Sequence, residues 1–162
     1  KSESLSTETS TATLAAGCFW GVEDKLSRVE GVHSTQVGYS GGDVPQPKYK
    51  QVCRGDTGHA EAVEVKFDPA VLSYENLLRI FFQLHDPTQV NRQGPDVGTQ
   101  YRSVIFTHDD AQRRTAEKVI RELDDSGRYI RPIMTQIAPV SEFYQAEKYH
   151  QRFLEKRRKG LF

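Results

Sequence analysis

No stretch of this chain is apolar enough for long enough to cross a bilayer: nothing in its 162 residues approaches the ~20 consecutive apolar side chains a membrane helix requires. The opening residues 1–10 are rich in Ser, Thr and Glu where a secretory signal would need an apolar run. Net charge is lacking too. Lys plus Arg and Asp plus Glu stand at 22 each, so no excess of positive charge draws the chain to nucleic acid or to an anionic membrane. The basic run Lys156 to Lys159 reads as a solvated helix end, where cations suit the helix dipole. Two cysteines are too few for a disulfide scaffold or a cysteine-rich zinc site, and a reducing, cytoplasmic compartment is expected. His59 and His150 lie far apart with no local ligand spacing, so both read as structural histidines; neither a metal nor a cofactor is expected.

What is present fits one domain with a core of its own. Residues 1–10 read as a flexible N-terminal arm, because a single apolar side chain cannot offset the entropy of ordering them. Residues 11–162 read as a single folded domain, expected to be a monomer. The start at Lys rather than Met also leaves a processed product or an excised domain open. No internal repeat interrupts the chain.

Thr11 to Ala16 suits a buried strand, with Gly17 as a turn residue. Phe19, Val22, Leu26 and Val29 then fall at helical spacing before Gly31, which places Cys18 at a strand-to-helix junction. Val32 to Tyr39 forms a second strand, and Ser40 to Gly58, with Pro45, Pro47 and several glycines, reads as irregular chain. His59 to Phe67 alternates, putting Glu61 on the apolar face with Val63, Val65 and Phe67 and implying a half-buried strand. Ser73 caps a helix through Leu84, and Asp86 to Gln100 is a long polar loop. Tyr101 to Thr107 is a further strand; Asp109 and Gln112 resemble a capping box for a helix ending near Gly127. Met134 to Val140 reads as a last strand and Ser141 to Arg157 as a last helix. The alternation points to an α+β fold with helices packed against a mixed sheet.

Cys18 is the first candidate for chemistry. The first turn of a helix offers unpaired N–H groups and a positive dipole end, both of which stabilise a thiolate. A free thiol of ordinary pKa is only ~3% ionised at pH 7, so even a modest fall multiplies the nucleophile. The alternative is a small buried hydrophobe, as cysteine often is. Phe19 and Trp20 follow directly, flanked by Gly17 and Gly21, and two large rings beside a thiol suit a sulfoxide methyl or a thioether as well as they suit a core.

The run Gly17 to Gly21 (GCFWG) resembles the active-site motif of the peptide methionine sulfoxide reductase A family. The similarity continues through Gly38 to Gly42 (GYSGG), Tyr49, Gly55 to Glu61 (GDTGHAE), His85 to Pro87, Gly98 to Ser103 (GTQYRS), Phe143 and Tyr144, from about Thr13 to the end of the chain. The resemblance implies a two-layer α/β plait of the ferredoxin-like, split βαβ kind, wrapped in much irregular chain. It also implies a reductase specific for the S epimer of methionine sulfoxide, free and in proteins. Cys18 would be the nucleophile, Glu61 the acid, Phe19 and Trp20 the methyl pocket, and Tyr49, Tyr101 and Asp96 the polar part of the site. Bare physics agrees on Glu61: burial disfavours its charge and keeps a proton available near neutrality. After oxygen transfer Cys18 becomes a sulfenic acid that a second thiol must restore.

Many members of that family end in Gly-Tyr-Cys with a recycling cysteine, whereas this chain ends Gly160, Leu161, Phe162. Cys53 is left as the possible internal resolving thiol, and an external reductant, thioredoxin-like, glutaredoxin-like or a small thiol, is expected ahead of it. Two other readings pass through the same residues: a thiol peroxidase, which would not need the aromatic pocket, and a ferredoxin-like interaction module with an inert cysteine.

Overall fold

The computed structural model describes residues 9–160. The expected arm therefore lies outside the described residues except at its end, where Ser10 opens the first strand; Phe162 lies outside them as well. The elements run β1 (Ser10–Ala16), α1 (Phe19–Ser27), β2 (Val32–Ser40), α2 (Tyr49–Cys53), β3 (Ala60–Phe67) and α3 (Tyr74–Gln83). A small hairpin of β4 (Arg92–Gln93) and β5 (Asp96–Val97) follows, then β6 (Ser103–Thr107), α4 (Asp110–Asp125), β7 (Gln136–Pro139), β8 (Phe143–Gln145) and α5 (Phe153–Arg158).

Six strands form one mixed sheet in the order β7-β6-β1-β3-β2-β8, antiparallel throughout except for β6 and β7. Period-two alternation decides what each face holds. Leu14, Val63, Val65, Phe67 and Ile105 join Phe19 and Leu26 of α1 and Leu77 and Phe81 of α3 in the main core. Ala15, Ala60, Ala62, Val104 and Phe106 point to the other face, where Ala138, Val140 and Phe143 cover them. The mixed α/β architecture expected from the alternation is thus what folds. β3 departs from expectation in being buried on both faces at its start, because the chain after β7 returns across Ala60 and Ala62.

Local signals explain the main helices. Ser73 caps α3, its hydroxyl accepting the Asn76 N–H at 3.1 Å, a contact whose loss costs ~1 kcal/mol. Asp109 caps α4 in the same way through Gln112 N–H at 2.8 Å. The Gln112 side chain, however, accepts the backbone N–H of His108 at 2.9 Å, one residue earlier than a reciprocal box would have it.

Four sequence expectations need correction. Tyr101 belongs to a 3-10 turn, Thr99–Tyr101, and the strand begins at Ser103. The polar stretch before it carries the β4/β5 hairpin, and the irregular stretch after β2 carries the short helix α2. Ser141 to Arg157 is not one helix: Phe143–Gln145 pairs with β2, Lys148–His150 is a 3-10 turn, and only Phe153–Arg158 is α-helical. Pairing decides this, since Ala146 N–H bonds Val37 carbonyl at 2.9 Å and Gln151 brackets both backbone groups of Val37. No helix among the described residues is long and apolar enough to cross a membrane.

Candidate active site

The antiparallel register brings the end of β1, the start of β3 and the end of β2 to one edge, with Leu14 opposite Val63 and Tyr39 opposite Glu61. Cys18 follows β1 after a sharp turn at Gly17, φ 99°, where a Cβ would sit 2.9 Å from Cβ of Gln93. Only glycine fits that position. Cys18 caps α1, its carbonyl accepting Val22 N–H at 3.4 Å. The backbone N–H groups of Trp20 and Gly21 act on its sulfur as a helix start should, favouring the thiolate. They are outweighed. Burial first, then the negative charges of Glu61 and Asp96, push the thiol up to about 11. The expectation that the helix start leaves a depressed thiol is therefore corrected: the apolar surroundings and the acidic neighbours outweigh it.

Glu61 is 1% exposed. Its Oε1 accepts the Phe19 N–H at 3.1 Å, while Oε2 has no hydrogen-bond partner among the described residues. Burial drives its pKa up to about 8, against the opposing Phe19 N–H and with help from Asp96. A carboxyl so placed holds its proton at neutral pH, with one oxygen unengaged.

Helix α2 carries Tyr49 at its first position and Cys53 at its last. The Tyr49 ring packs 4.3 Å from His150 and 6.3 Å from Phe19, centroid to centroid. Burial, together with a hydrogen bond to Cys53, pushes its phenol well above the ordinary range. Tyr101 is pushed up to about 12 by burial and by the negative charges of Glu61, Cys53, Asp96 and Cys18. Once ionised, Glu61 acts on Cys18, Tyr49, Cys53 and Tyr101 alike, so residues from four separate parts of the chain share one electrostatic neighbourhood. Asp96, on β5, acts on Cys18, Glu61 and Tyr101 and so belongs to it.

The two aromatic residues of the motif differ. Phe19 is fully buried among Tyr39, Tyr49 and His150, whereas Trp20 is only partly buried and stacks on Phe153 at 4.1 Å. Three further residues adjoin the site: Glu147, which the sequence reading does not single out, His150, which it takes as a structural histidine, and Tyr39, which it quotes only as part of a motif. Glu147 accepts the Tyr39 hydroxyl at 2.8 Å and the Tyr49 N–H at 3.0 Å. His150 is wholly buried, and its Nδ1 accepts the Trp20 indole N–H at 2.9 Å; burial lowers its pKa and keeps it neutral, as an accepting ring nitrogen must be. Tyr39 lies behind Phe19. The first two sit in the stretch read as helix, and no spacing rule marks them. His59, by contrast, is a loop clasp: Nδ1 accepts Gly42 N–H at 3.0 Å and Nε2 meets Val44 carbonyl at 2.7 Å. No cluster of His, Cys, Asp or Glu able to hold a metal occurs among the described residues.

A thiol at a helix start, a buried carboxyl with a raised pKa and two phenols in one electrostatic neighbourhood come from the motifs singled out in the sequence. The family model for peptide methionine sulfoxide reductase matches residues 10–162. A curated relative, peptide methionine sulfoxide reductase MsrA of Methanothermobacter thermautotrophicus, is 59% identical over 145 residues, covering 90% of this chain and 86% of the relative. The chain belongs to the peptide methionine sulfoxide reductase A family. It is a peptide-methionine sulfoxide reductase, an oxidoreductase of protein repair under oxidative stress. Among solved structures, Mxr1 of Saccharomyces cerevisiae in reduced form superposes on the reductase with a TM-score of 0.87 at 40% identity, covering 94% of this chain and 88% of that one. The same yeast protein in complex with Trx2 gives 0.65 at 28% identity, over 88% and 84%.

Proposed function

We propose that residues 11–162 form one catalytic unit that reduces the S epimer of methionine sulfoxide, free and in proteins, by attack of the Cys18 thiolate on the sulfoxide sulfur. Attack joins the two sulfurs, and Glu61 gives its proton to the oxygen. The resulting hydroxyl passes to the Cys18 sulfur as the substrate S–O bond and the transient S–S bond break. Methionine leaves as the thioether, Cys18 is left as a sulfenic acid and Glu61 as a carboxylate. The observation that carries this is the Glu61 carboxyl: buried, one oxygen on the Phe19 N–H and the other unpartnered, beside the helix-start thiol. The raised thiol fits the scheme. A sulfoxide is polarised with positive sulfur and negative oxygen, so a bound substrate sets a positive centre against Cys18 and offers its oxygen to Glu61, Tyr49 and Tyr101. The thiolate is thus favoured only when there is something to attack. Asp96 holds the acidic side of the cleft, and Trp20, with Phe19 behind it, walls the methyl slot.

A slot for methyl on one side and polar groups on the other presents one face of a chiral sulfur to Cys18. Incubation with the two separated sulfoxide epimers tests this: the S form is expected to be consumed and the R form left, and equal rates would refute the pocket. The reductant is read as an external thiol protein of the thioredoxin kind, a reading supported by the solved complex of yeast Mxr1 with Trx2. The core is read as a split βαβ plait, supported by the order β6-β1-β3-β2 with α1 joining β1 to β2 and α3 between β3 and β6.

A further inference from the structure

Trp20 is the single tryptophan of the chain, and two residues of the C-terminal segment hold its indole: His150 takes its N–H at 2.9 Å and Phe153 stacks on it at 14°. Between them Arg152 adopts the left-handed conformation, φ 55° and ψ 40°, which a non-glycine residue keeps only where its neighbours hold it. The neighbour is Glu23. Its Oε1 accepts the Arg152 N–H at 2.7 Å and its Oε2 accepts the Thr35 hydroxyl at 2.8 Å.

Glu23 sits on α1, almost one turn beyond Trp20, and is 1% exposed. A carboxylate is an improbable tenant of a helix face otherwise buried through Phe19, Val22 and Leu26 unless its bonds there do something. No hydrogen bond joins it to Cys18 or Glu61 among the described residues, and the oxygen-transfer scheme makes no use of it.

We infer that Glu23 is a positioning residue for the substrate slot: by holding the Arg152 turn it sets the spacing at which His150 and Phe153 clamp the Trp20 indole. Helix α1 then carries both the clamped ring and the anchor of its clamp. The remainder of the segment is fastened independently, by Glu147 to Tyr39 and Tyr49 and by Gln151 to Val37, so releasing Glu23 frees the turn and leaves the rest seated. The inference rests on Trp20 being the wall of the methyl slot.

The test compares Glu23→Ala with Glu23→Gln, which keeps an acceptor for the Arg152 N–H. The near-ultraviolet dichroism and fluorescence of the single tryptophan read the clamp; KM and single-turnover rate on a blocked methionine S-sulfoxide read the slot. Glu23→Ala is expected to lose the tryptophan band and raise KM about tenfold with the saturated rate within about threefold, and Glu23→Gln to restore both to within about twofold. An unchanged tryptophan signal in Glu23→Ala, a rate loss at constant KM, or a Gln variant as impaired as the Ala variant overturns the assignment. Should Glu23→Ala not fold, Glu23→Asp withdraws the carboxylate by one methylene and is expected to fall between; wild-type values from it overturn the assignment equally. Trp20→Ala separates the two readings: an unchanged KM there sinks the slot, whereas the tryptophan spectrum of Glu23→Ala judges the anchor alone.

Discussion

The start of α1 and the end of α2 each present a free cysteine, and the contrast between them shows what makes a thiol reactive in this molecule. Cys18 is partly buried, at the cap of a helix, with backbone N–H groups on its sulfur and a protonated carboxyl as neighbour. Cys53 is exposed, at the far end of a five-residue helix, and its thiolate is favoured by the hydrogen bond from Tyr49. Burial raises both thiols, so resting acidity does not distinguish them. Their surroundings do. Cys18 carries the N–H groups of a helix start on its sulfur, whereas Cys53 sits at the far end of its helix and meets the site through Tyr49 and the Glu61 charge.

The contrast breaks most severely at Cys18 itself. Cys18→Ser keeps size and cap but replaces the sulfur by a hydroxyl of far higher pKa. The methionine released in a single turnover is expected to fall by ~10³-fold or more. Substantial turnover by this variant would mean that Cys53 can take over, and the comparison would collapse.

Next in size is the acid. Glu61→Gln preserves shape and the Phe19 contact but removes the proton, and should slow the single-turnover rate by ~100-fold with a smaller change in KM. An unchanged rate removes Glu61 from the role. The same group gives a pH signature with a definite sign. The acid form acts, so the reductase step should decline as pH rises through about 8, and the Gln variant should lose that limb.

Stability should follow the same group. Its folded pKa of about 8 stands above the ordinary 4.5, so the folded state holds the proton more tightly than the unfolded chain does. That contribution is fully present below pH 4.5 and is lost as pH climbs from 4.5 to about 8, by on the order of 3 kcal/mol at pH 7. Urea titrations of the wild type should show this decline and those of Glu61→Gln a flatter profile; identical profiles would mean that Glu61 ionises normally.

Much of this region was legible beforehand because its signals are local. The strand-to-helix junction at Cys18 and the alternation that puts Glu61 on the helix face need only a few adjacent residues. The C-terminal segment was not legible. Phe143 to His150 has side chains that suit a helix, and its true conformation comes from pairing with β2, far back in the chain. Glu147 was hidden by the same error, and His150 was read as structural with no partner named, since their roles exist only through contacts with Tyr39, Tyr49 and Trp20. The resting state of Cys18 was misjudged for a related reason: the helix start is local, whereas the burial and the charges that outweigh it come from β3 and β5.

The smallest effect is expected at Cys53, and it sharpens the comparison most. A resolving thiol must attack the Cys18 sulfenic acid as a thiolate, and Cys53, at the last position of its helix, lies away from the helix-start N–H groups that favour a thiolate at Cys18. The Cys53 backbone carbonyl accepts from Gln100 Nε2 at 3.3 Å, a bond that any movement of Cys53 toward Cys18 would have to break. Recycling by an external thiol is therefore expected. Cys53→Ser, which keeps a partner for the Tyr49 hydroxyl, should leave steady-state turnover with a thioredoxin-type reductant within about twofold of wild type. Thiol counting after one turnover without reductant gives the direct answer: one thiol should remain, and Cys18 should be captured by a sulfenic-acid reagent. Loss of both thiols with normal methionine release, and no capture, would make Cys53 the resolving residue and show that α2 moves.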